Sequence, residues 1–134
     1  MASTTILKQS VFIPATPEEV YEALTDPKIQ AEFTGAEATG EPEVGESFTA
    51  WDGYIDGQYV ELEPGKRIVA MWSTSEWPEN AEPSTLELTF DEEDNGTKIT
   101  LVQTDVPSEQ ADDYDAGWHE SYWEPLKDYF ENKH

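Results

Sequence analysis

The sequence predicts an α+β fold with one antiparallel sheet of six strands, two short helices after the first strand, and a long C-terminal helix that covers the sheet. Three features indicate this fold. A capping box opens a helix near the N-terminus, alternating segments separated by turn pairs fill the middle, and an aromatic stripe at helical spacing ends the chain. At 134 residues, including five Trp, six Tyr and five Phe, the chain has the length and aromatic content of one folded domain.

The first predicted elements are a strand over residues 4–13 and two short helices. Thr16 is a suitable N-cap for a helix that begins at Pro17, and Glu19 completes a capping box. A second helix is predicted over residues 27–33. Alternation gives the strand an inward face that holds one glutamine among apolar residues: Leu7, Gln9, Val11 and Ile13.

Five strands are predicted after a loop over residues 34–45, because turn signals recur at short intervals. Asp52-Gly53 and Asn95-Gly96 are preferred pairs for type I′ turns, and Pro64-Gly65 suits a type II turn. In the second of the five strands the alternation slips, which predicts a β-bulge near residues 60–61. The five strands are Ser47–Trp51, Tyr54–Leu62, Arg67–Thr74, Ser84–Phe90 and Thr97–Asp105.

The last segment predicts a helix near residues 109–131 with Ser108 as its N-cap. Pro125 lies inside the predicted helix and removes a hydrogen bond to the carbonyl of Ser121, so we expect a kink there. The alternative is that Pro125 starts a new helix at its first position. The apolar stripe consists of Trp118, Tyr122, Leu126, Tyr129 and Phe130.

The charge of the chain restricts its partners. Thirty Asp and Glu face seven Lys and Arg, for a net charge of −23 at pH 7, so nucleic acid and anionic membrane surfaces should repel it. Adaptation to a cytoplasm rich in salt is the favoured explanation, because a Debye length of about 3 Å at 1 M screens like charges. A basic partner or nucleic-acid mimicry, and an acidic surface without a specific role, are the alternatives.

Several classes of protein are not expected. The sequence has no cysteine, which excludes disulfides and thiolate chemistry. No segment predicts a signal peptide or a membrane span, so we expect a cytoplasmic protein. His119 and His134 lack the spacing of metal ligands, and Asp56 and Glu61 would count as catalytic only if they faced a cavity with raised pKa values. We therefore expect neither an enzyme nor a bound cofactor or metal.

Short motifs across nearly the whole chain resemble the START-like (SRPBCC, helix-grip) superfamily. Within it, the chain is similar to the C-terminal domain of heat-shock-protein-90 ATPase activators. The motifs are residues 11–20, Leu24-Thr25-Asp26-Pro27, Asp52-Gly53 with Gly57, residues 62–69 with Trp72, Trp77-Pro78, Asn95-Gly96-Thr97 and Gly117-Trp118.

The resemblance implies a sheet that curls around the last helix in the strand order 2-3-4-5-6-1, with a cavity between sheet and helix. We expect residues 1–134 to form a single domain of this type and to be a monomer, without the further N-terminal domain of the eukaryotic activators. The resemblance also implies a heat-shock-protein-90-type chaperone as a candidate partner and a role in stress response.

Candidate binding residues follow from the register and this strand order. Gln9 and Gln103 fall on neighbouring strands, where they form either a polar floor for a ligand or two buried amides bonded to each other or to water. An aromatic set either lines a ligand cavity or fills the core. Trp77 either contacts a partner or folds back on the sheet. The ligand-cavity candidates are Gln9, Trp51, Trp72, Leu88, Leu101, Gln103, Trp118 and Tyr122.

Three functions remain open at this point. The first is a non-enzymatic, chaperone-linked interaction module in stress response. The second is a carrier or sensor of a small apolar ligand between sheet and helix. The third is an enzyme similar to a polyketide cyclase. A continuous void of several hundred Å³ would favour the ligand carrier, whereas a filled core would favour the interaction module.

Overall fold

A computed structural model describes residues 4–41, 43–77 and 82–133. Across these residues the strands form one antiparallel sheet in the order β1-β7-β6-β5-β4-β3-β2. The elements are β1 (Thr4–Ile13), α1 (Pro17–Thr25), α2 (Pro27–Thr34), β2 (Thr39–Gly40), β3 (Ser47–Ala50), β4 (Ile55–Glu63), β5 (Arg67–Thr74), β6 (Ser84–Glu93), β7 (Gly96–Pro107), α3 (Ala111–Gly117), a π-helical segment (Trp118–Trp123) and α4 (Glu124–Lys133).

The predicted α+β class and strand order are confirmed, with one strand more than predicted. The additional strand is β2, whose two residues pair with Thr49 and Phe48 of β3. Two residues are too few to show alternation in a sequence, so the loop prediction for residues 34–45 missed them. Gly40 has a φ of 126°, and an added Cβ would overlap Phe48, so this short pairing depends on a glycine.

The helix α1 begins with the predicted capping box. The Thr16 hydroxyl accepts a hydrogen bond from the backbone N–H of Glu19 at 3.2 Å, and the Glu19 carboxylate accepts from the backbone N–H of Thr16 at 3.1 Å. Asp26 caps α2 by accepting from the backbone N–H of Lys28. Local chemistry alone therefore fixes where both helices begin.

The turn predicted at Pro64-Gly65 is present, whereas the two predicted Asx-Gly turns differ from the prediction. Gly65 has a φ of 73° and Lys66 N–H donates to the Glu63 carbonyl at 2.9 Å, as a type II turn over Pro64-Gly65 requires. The Asn95-Gly96 turn lies one residue earlier than predicted, because the left-handed pair is Asp94-Asn95. At Asp52-Gly53 the connection is longer than predicted: Ala50 pairs with Ile55, and Trp51, Asp52 and Gly53 all have positive φ.

Gly96 is required by the close packing of β7 against β1. A Cβ added at Gly96 would overlap the ring of Phe12 and the carbonyl of Ile13. Gly96 thus lets the strands approach closely and does not supply a positive φ.

The core lies between the sheet and the C-terminal helix. The predicted bulge is present, since the register of β4 and β5 shifts between Tyr59 and Glu61. Alternating residues of β6 and β7 point into the core and are almost completely buried: Leu86, Leu88, Phe90, Ile99 and Leu101. Their alternation is the pattern expected of a sheet with one buried face.

The C-terminal helix is continuous but not regular. It begins at Ala111 after Gln110, whose side chain makes no capping bond, so Ser108 is not the N-cap. Between α3 and α4 the backbone widens into a π-helical segment, in which Glu124 N–H donates to the carbonyl of His119, five residues earlier. Glu124 keeps helical dihedrals (φ −65°, ψ −49°), so the chain does not break before Pro125. The kink angle itself stays a prediction.

Candidate functional site

A cavity of about 460 Å³ lies between the C-terminal helix and one end of the sheet and is partly open to solvent. Its walls come from the β3–β4 turn, β4, β5 and the loop after it, and the helix from Gln110 onward. The lining residues are Trp51, Tyr54, Ile55, Trp72, Glu76, Gln110, Asp113, Tyr114, Gly117, Trp118, Ser121 and Tyr122.

Aromatic rings in mutual contact form most of the wall. Trp72 lies edge-on to Tyr114 with 5.3 Å between ring centroids, and its ring is 5.7 Å from that of Trp118. Tyr122 continues the row at 4.8 Å from Trp118 and 6.3 Å from Trp51. Such pairs contribute about 0.5–1.5 kcal/mol each beyond their buried area, so the rings hold one another in place around the cavity.

Trp51 lines the cavity in an unusual backbone conformation. Its φ is 54°, which is uncommon for a bulky residue. The turn that produces this conformation also places its ring against Tyr122. Strained positions of this kind cost on the order of 1–3 kcal/mol and cluster at binding sites.

The π-helical segment orients the tryptophans of the helix. Trp118 and Trp123 are five residues apart, yet their rings stack at 5.5 Å and 20°. In a regular α-helix, residues five apart do not lie above one another, whereas in a π-helix they do. The wider turn therefore brings Trp118, Tyr122 and Trp123 together on the buried side of the helix. Trp123 does not fit the α-helical stripe read from the sequence, and so that stripe omits it.

A buried chain of hydrogen bonds fixes Trp118. Its indole N–H donates to the carboxamide oxygen of Gln103 at 3.0 Å. The Gln103 amide donates to the Ser84 hydroxyl at 2.9 Å, and that hydroxyl donates to the backbone carbonyl of Trp72 at 2.7 Å. Gln103 and Ser84 are fully buried, so each polar group here has the partner that burial requires.

Gln9 binds the indole of Trp123 in the same way. Trp123 N–H donates to its carboxamide oxygen at 2.8 Å, and its amide donates to the carbonyl and carboxylate of Asp115 at 2.9 and 2.7 Å. Gln9 and Gln103 therefore each bond to a tryptophan of the helix. The two amides do not bond to each other, as one sequence interpretation had it, and neither glutamine is among the lining residues of the cavity.

The rim of the cavity carries polar groups. The hydroxyl of Tyr54 donates to the Glu76 carboxylate at 2.6 Å, and burial, followed by this bond, raises the pKa of Tyr54 to about 12. Gln110 donates from its amide to the Glu76 carbonyl at 2.7 Å. Its carboxamide oxygen is buried, with no hydrogen-bond partner in the described part of the chain. Asp113 adds an exposed carboxylate.

The deeper tyrosines are un-ionised at neutral pH. Tyr122 accepts from the Gln30 amide at 3.2 Å, and burial raises its pKa well above the ordinary value of 10. Tyr114 shares a hydrogen bond of 2.6 Å with Thr74, and burial raises its pKa too. The cavity wall therefore presents neutral aromatic rings.

Of the predicted cavity residues, Trp51, Trp72, Trp118 and Tyr122 lie in the lining. Leu88, Leu101, Gln9 and Gln103 do not. The two leucines are buried in the core cluster, and the two glutamines are bonded to the indoles of Trp118 and Trp123. Sequence reasoning missed further lining residues, of which Tyr54, Tyr114 and Gln110 are the most informative: two are aromatic, but no alternation or stripe connected them to the others.

Trp77 folds back onto the protein, as the second interpretation of it predicted. Its ring stacks on Tyr114 at 5.7 Å and 26°, and its indole N–H donates to the Glu82 carbonyl at 2.9 Å. It remains half-buried. Pro78, the second residue of the Trp77-Pro78 motif, lies outside the described residues.

The candidate acid–base residues are on the surface. Asp56 is exposed, and Glu61 forms an ion pair with Arg67 at 2.6 Å. His119 is exposed, and His134 lies outside the described residues. Within residues 4–41, 43–77 and 82–133, no three His, Cys, Asp or Glu side chains are grouped as metal ligands would be. No helix in the same ranges is long and apolar enough to cross a membrane.

An antiparallel sheet closed by a C-terminal helix, with a cavity between them, defines a helix-grip domain of the START-like class. Comparisons identify the family: residues 14–131 match the model described as "Activator of Hsp90 ATPase homolog 1-like protein", and the chain belongs to that family. The resemblance read from the motifs is confirmed.

Three relatives illustrate the likeness. The human activator of 90 kDa heat shock protein ATPase homolog 1 is 32% identical over 115 residues, which are 86% of this chain and 34% of the human protein. An HSP90 activator from Plasmodium falciparum, 22% identical, superimposes with a TM-score of 0.84 over 93% of this chain and 95% of that one. CalU16 from Micromonospora echinospora is 26% identical, with a TM-score of 0.68 over 90% and 71%. The chain spans about a third of the length of the mammalian curated relatives that it matches.

Proposed function

We propose that residues 1–134 work in the cytoplasm as a single non-catalytic binding domain whose aromatic cavity takes a small apolar molecule. The observation that carries this proposal is the cavity of about 460 Å³ between sheet and helix. Ligand sites commonly measure about 300–1,000 Å³ and combine apolar walls with a few polar groups. The positive φ of Trp51 at the edge of the cavity supports it, because backbone strain collects at binding sites.

Gly117 offers a direct test of ligand binding. It lines the cavity, and a Cβ built on it contacts no atom within 4 Å, so a larger side chain there would enter open space. Gly117→Leu should block the cavity without disturbing the core. Gly117→Ala is the matched control, since it adds a single methyl group and should stabilise the helix by about 0.5–1 kcal/mol.

The measurement is native mass spectrometry of the protein purified from its own host. We expect a small molecule to be retained by the original chain and by Gly117→Ala, and to be lost from Gly117→Leu. Equal retention by all three proteins would place the molecule elsewhere, and no retention by the original chain would contradict the proposal.

A second candidate function is regulation of an Hsp90-type chaperone in stress response. Family membership over residues 14–131 favours it. The curated relatives named for this activity are about three times as long as the matched region, so their activity is extended to this chain as a proposal. The partly exposed ring of Trp77 is the candidate contact, because aromatic side chains are enriched where proteins meet.

ATP turnover by the Hsp90-type chaperone of the same host tests this second function. The chaperone would be assayed in high KCl with and without an excess of this protein. We expect a change in turnover that is smaller for Trp77→Ser and unaltered for Ile6→Ser, an exposed apolar residue on β1. Unchanged turnover with excess protein would exclude the chaperone link.

A further inference from the structure

The charged side chains among the described lining residues of the cavity are both carboxylates. Within the described residues, the lining includes the carboxylates of Glu76 and Asp113 and the carboxamide of Gln110, but no Lys, Arg or His. The hydroxyl hydrogen of Tyr54 is already used in its bond to Glu76. Among the polar lining side chains, Ser121 adds a small hydroxyl that can donate or accept. A ligand that brings positive charge and donors of its own therefore matches this lining better than an anion does.

The unpartnered oxygen of Gln110 supports the same conclusion independently. Its amide is held by the Glu76 carbonyl at 2.7 Å, while its carboxamide oxygen is buried without a partner among the described residues. A buried acceptor without a donor is unfavourable, because it has lost its bonds to water and gained none in return. A donor group of a ligand, reached by a small rotation of the side chain, would satisfy it.

The aromatic wall favours a cation for a separate reason. Six rings line the cavity, and the face of an aromatic ring, above all that of tryptophan, attracts a cation within about 6 Å. Burial keeps the phenols of Tyr114 and Tyr122 un-ionised. The rings therefore supply apolar contact and a negative electrostatic surface together. The six are Trp51, Tyr54, Trp72, Tyr114, Trp118 and Tyr122.

We propose that the cavity selects a small organic cation: an ammonium group with an aromatic or short alkyl body. The body packs against Trp72, Trp118 and Tyr122, and the ammonium group lies at the rim near Glu76 and Asp113. This inference rests on the proposed ligand-binding function and names its ligand class. The net charge of −23 does not by itself carry it, since acids cover the whole surface and would attract any cation weakly.

The test compares three probes of one shape: phenethylammonium, phenethyl alcohol and phenylacetate. Titrations in about 1 M KCl, where the Debye length is about 3 Å, remove the general attraction of the acidic surface. Binding is followed by NMR through the indole N–H signals of Trp51, Trp72 and Trp118. We expect phenethylammonium to bind roughly 3- to 30-fold more tightly than phenethyl alcohol, the range of a cation–aromatic contact, and phenylacetate to bind most weakly.

Two double variants that remove the same number of charges test whether Glu76 and Asp113 produce the preference for a cation. Glu76→Gln with Asp113→Asn removes two charges at the rim and keeps an acceptor for Tyr54. Asp91→Asn with Glu92→Gln removes two exposed charges at the C-terminal end of β6, the strand that begins at Ser84. The preference for phenethylammonium over phenethyl alcohol should fall several-fold in the first variant and persist in the second.

The outcomes separate this inference from the proposed function. If phenethyl alcohol or phenylacetate binds as tightly as the cation, or if both variants lose the preference equally, cation selectivity is excluded while ligand binding stands. If none of the three probes shifts the indole signals, the proposed ligand cavity fails together with its ligand class.

Discussion

The indole N–H of Trp118 donates to the carboxamide oxygen of Gln103 at 3.0 Å, and this bond joins the C-terminal helix to β7. The Gln103 amide donates to the Ser84 hydroxyl on β6, and that hydroxyl donates to the Trp72 carbonyl on β5. Trp118, which lines the cavity, is thus connected to β7, β6 and β5 through buried polar groups. Fully satisfied networks of this kind specify a single arrangement of the core.

Gln103→Leu should destabilise the protein by about 1–3 kcal/mol, because it leaves the buried indole N–H of Trp118 and the hydroxyl of Ser84 without their partner. Urea unfolding at fixed KCl measures the effect. The double variant Gln103→Leu with Trp118→Phe should lose less than the sum of the two single changes. Strict additivity of the two changes would show that the bond contributes nothing.

Trp72→Ala should cost about 3–5 kcal/mol and enlarge the cavity, since the residue is 4% exposed and touches three other aromatic rings. Ile6→Ala, at a position 56% exposed, is the control and should change stability by less than about 0.5 kcal/mol. A loss below about 1 kcal/mol for Trp72→Ala would mean that its ring does not support the wall.

Stability should fall at alkaline pH because of the buried tyrosines. Burial raises the pKa of Tyr59 and Tyr54 to about 12 in the folded protein, above the ordinary value of 10. The folded state therefore keeps protons that the unfolded state releases. The resulting stability is complete below pH 10 and is lost progressively as the pH rises toward 12.

Phenolate absorbance and far-UV circular dichroism, followed together during an alkaline titration, test this dependence. We expect a large part of the phenolate signal to appear only as the protein unfolds. Ionisation of all tyrosines near pH 10 with the fold intact would contradict it.

The melting temperature should rise steeply between about 0.01 and 1 M KCl and then level off, since the Debye length falls from about 30 to about 3 Å over this range. The net charge of −23 disfavours the compact state when it is not screened. NaCl should act alike, and a moderate decrease in pH should partly replace salt. A melting temperature that does not change with KCl would favour a basic partner as the reason for the acidic surface.

Much of the fold was predictable because its causes are local. The capping box of Thr16 and Glu19 and the turn at Pro64-Gly65 depend on neighbours in sequence, and both are present. The bulge after Tyr59 was visible as a slip in alternation. The Asn95-Gly96 turn was displaced by one residue, because strand register and the packing of Gly96 against Phe12 outweighed the preference of the pair.

The order of the elements, the inward face of β1 and the acidic surface followed from the sequence, since alternation, capping and composition act at short range. Four aromatic residues of the site were also predicted, but their arrangement depends on the folded core. A widened turn aligned Trp118 with Trp123, five residues away, and bonds to Gln103 and Gln9 fixed both indoles on the sheet. These partners are distant in sequence, and their pairing depends on the side-chain positions of the folded core, which no local pattern records.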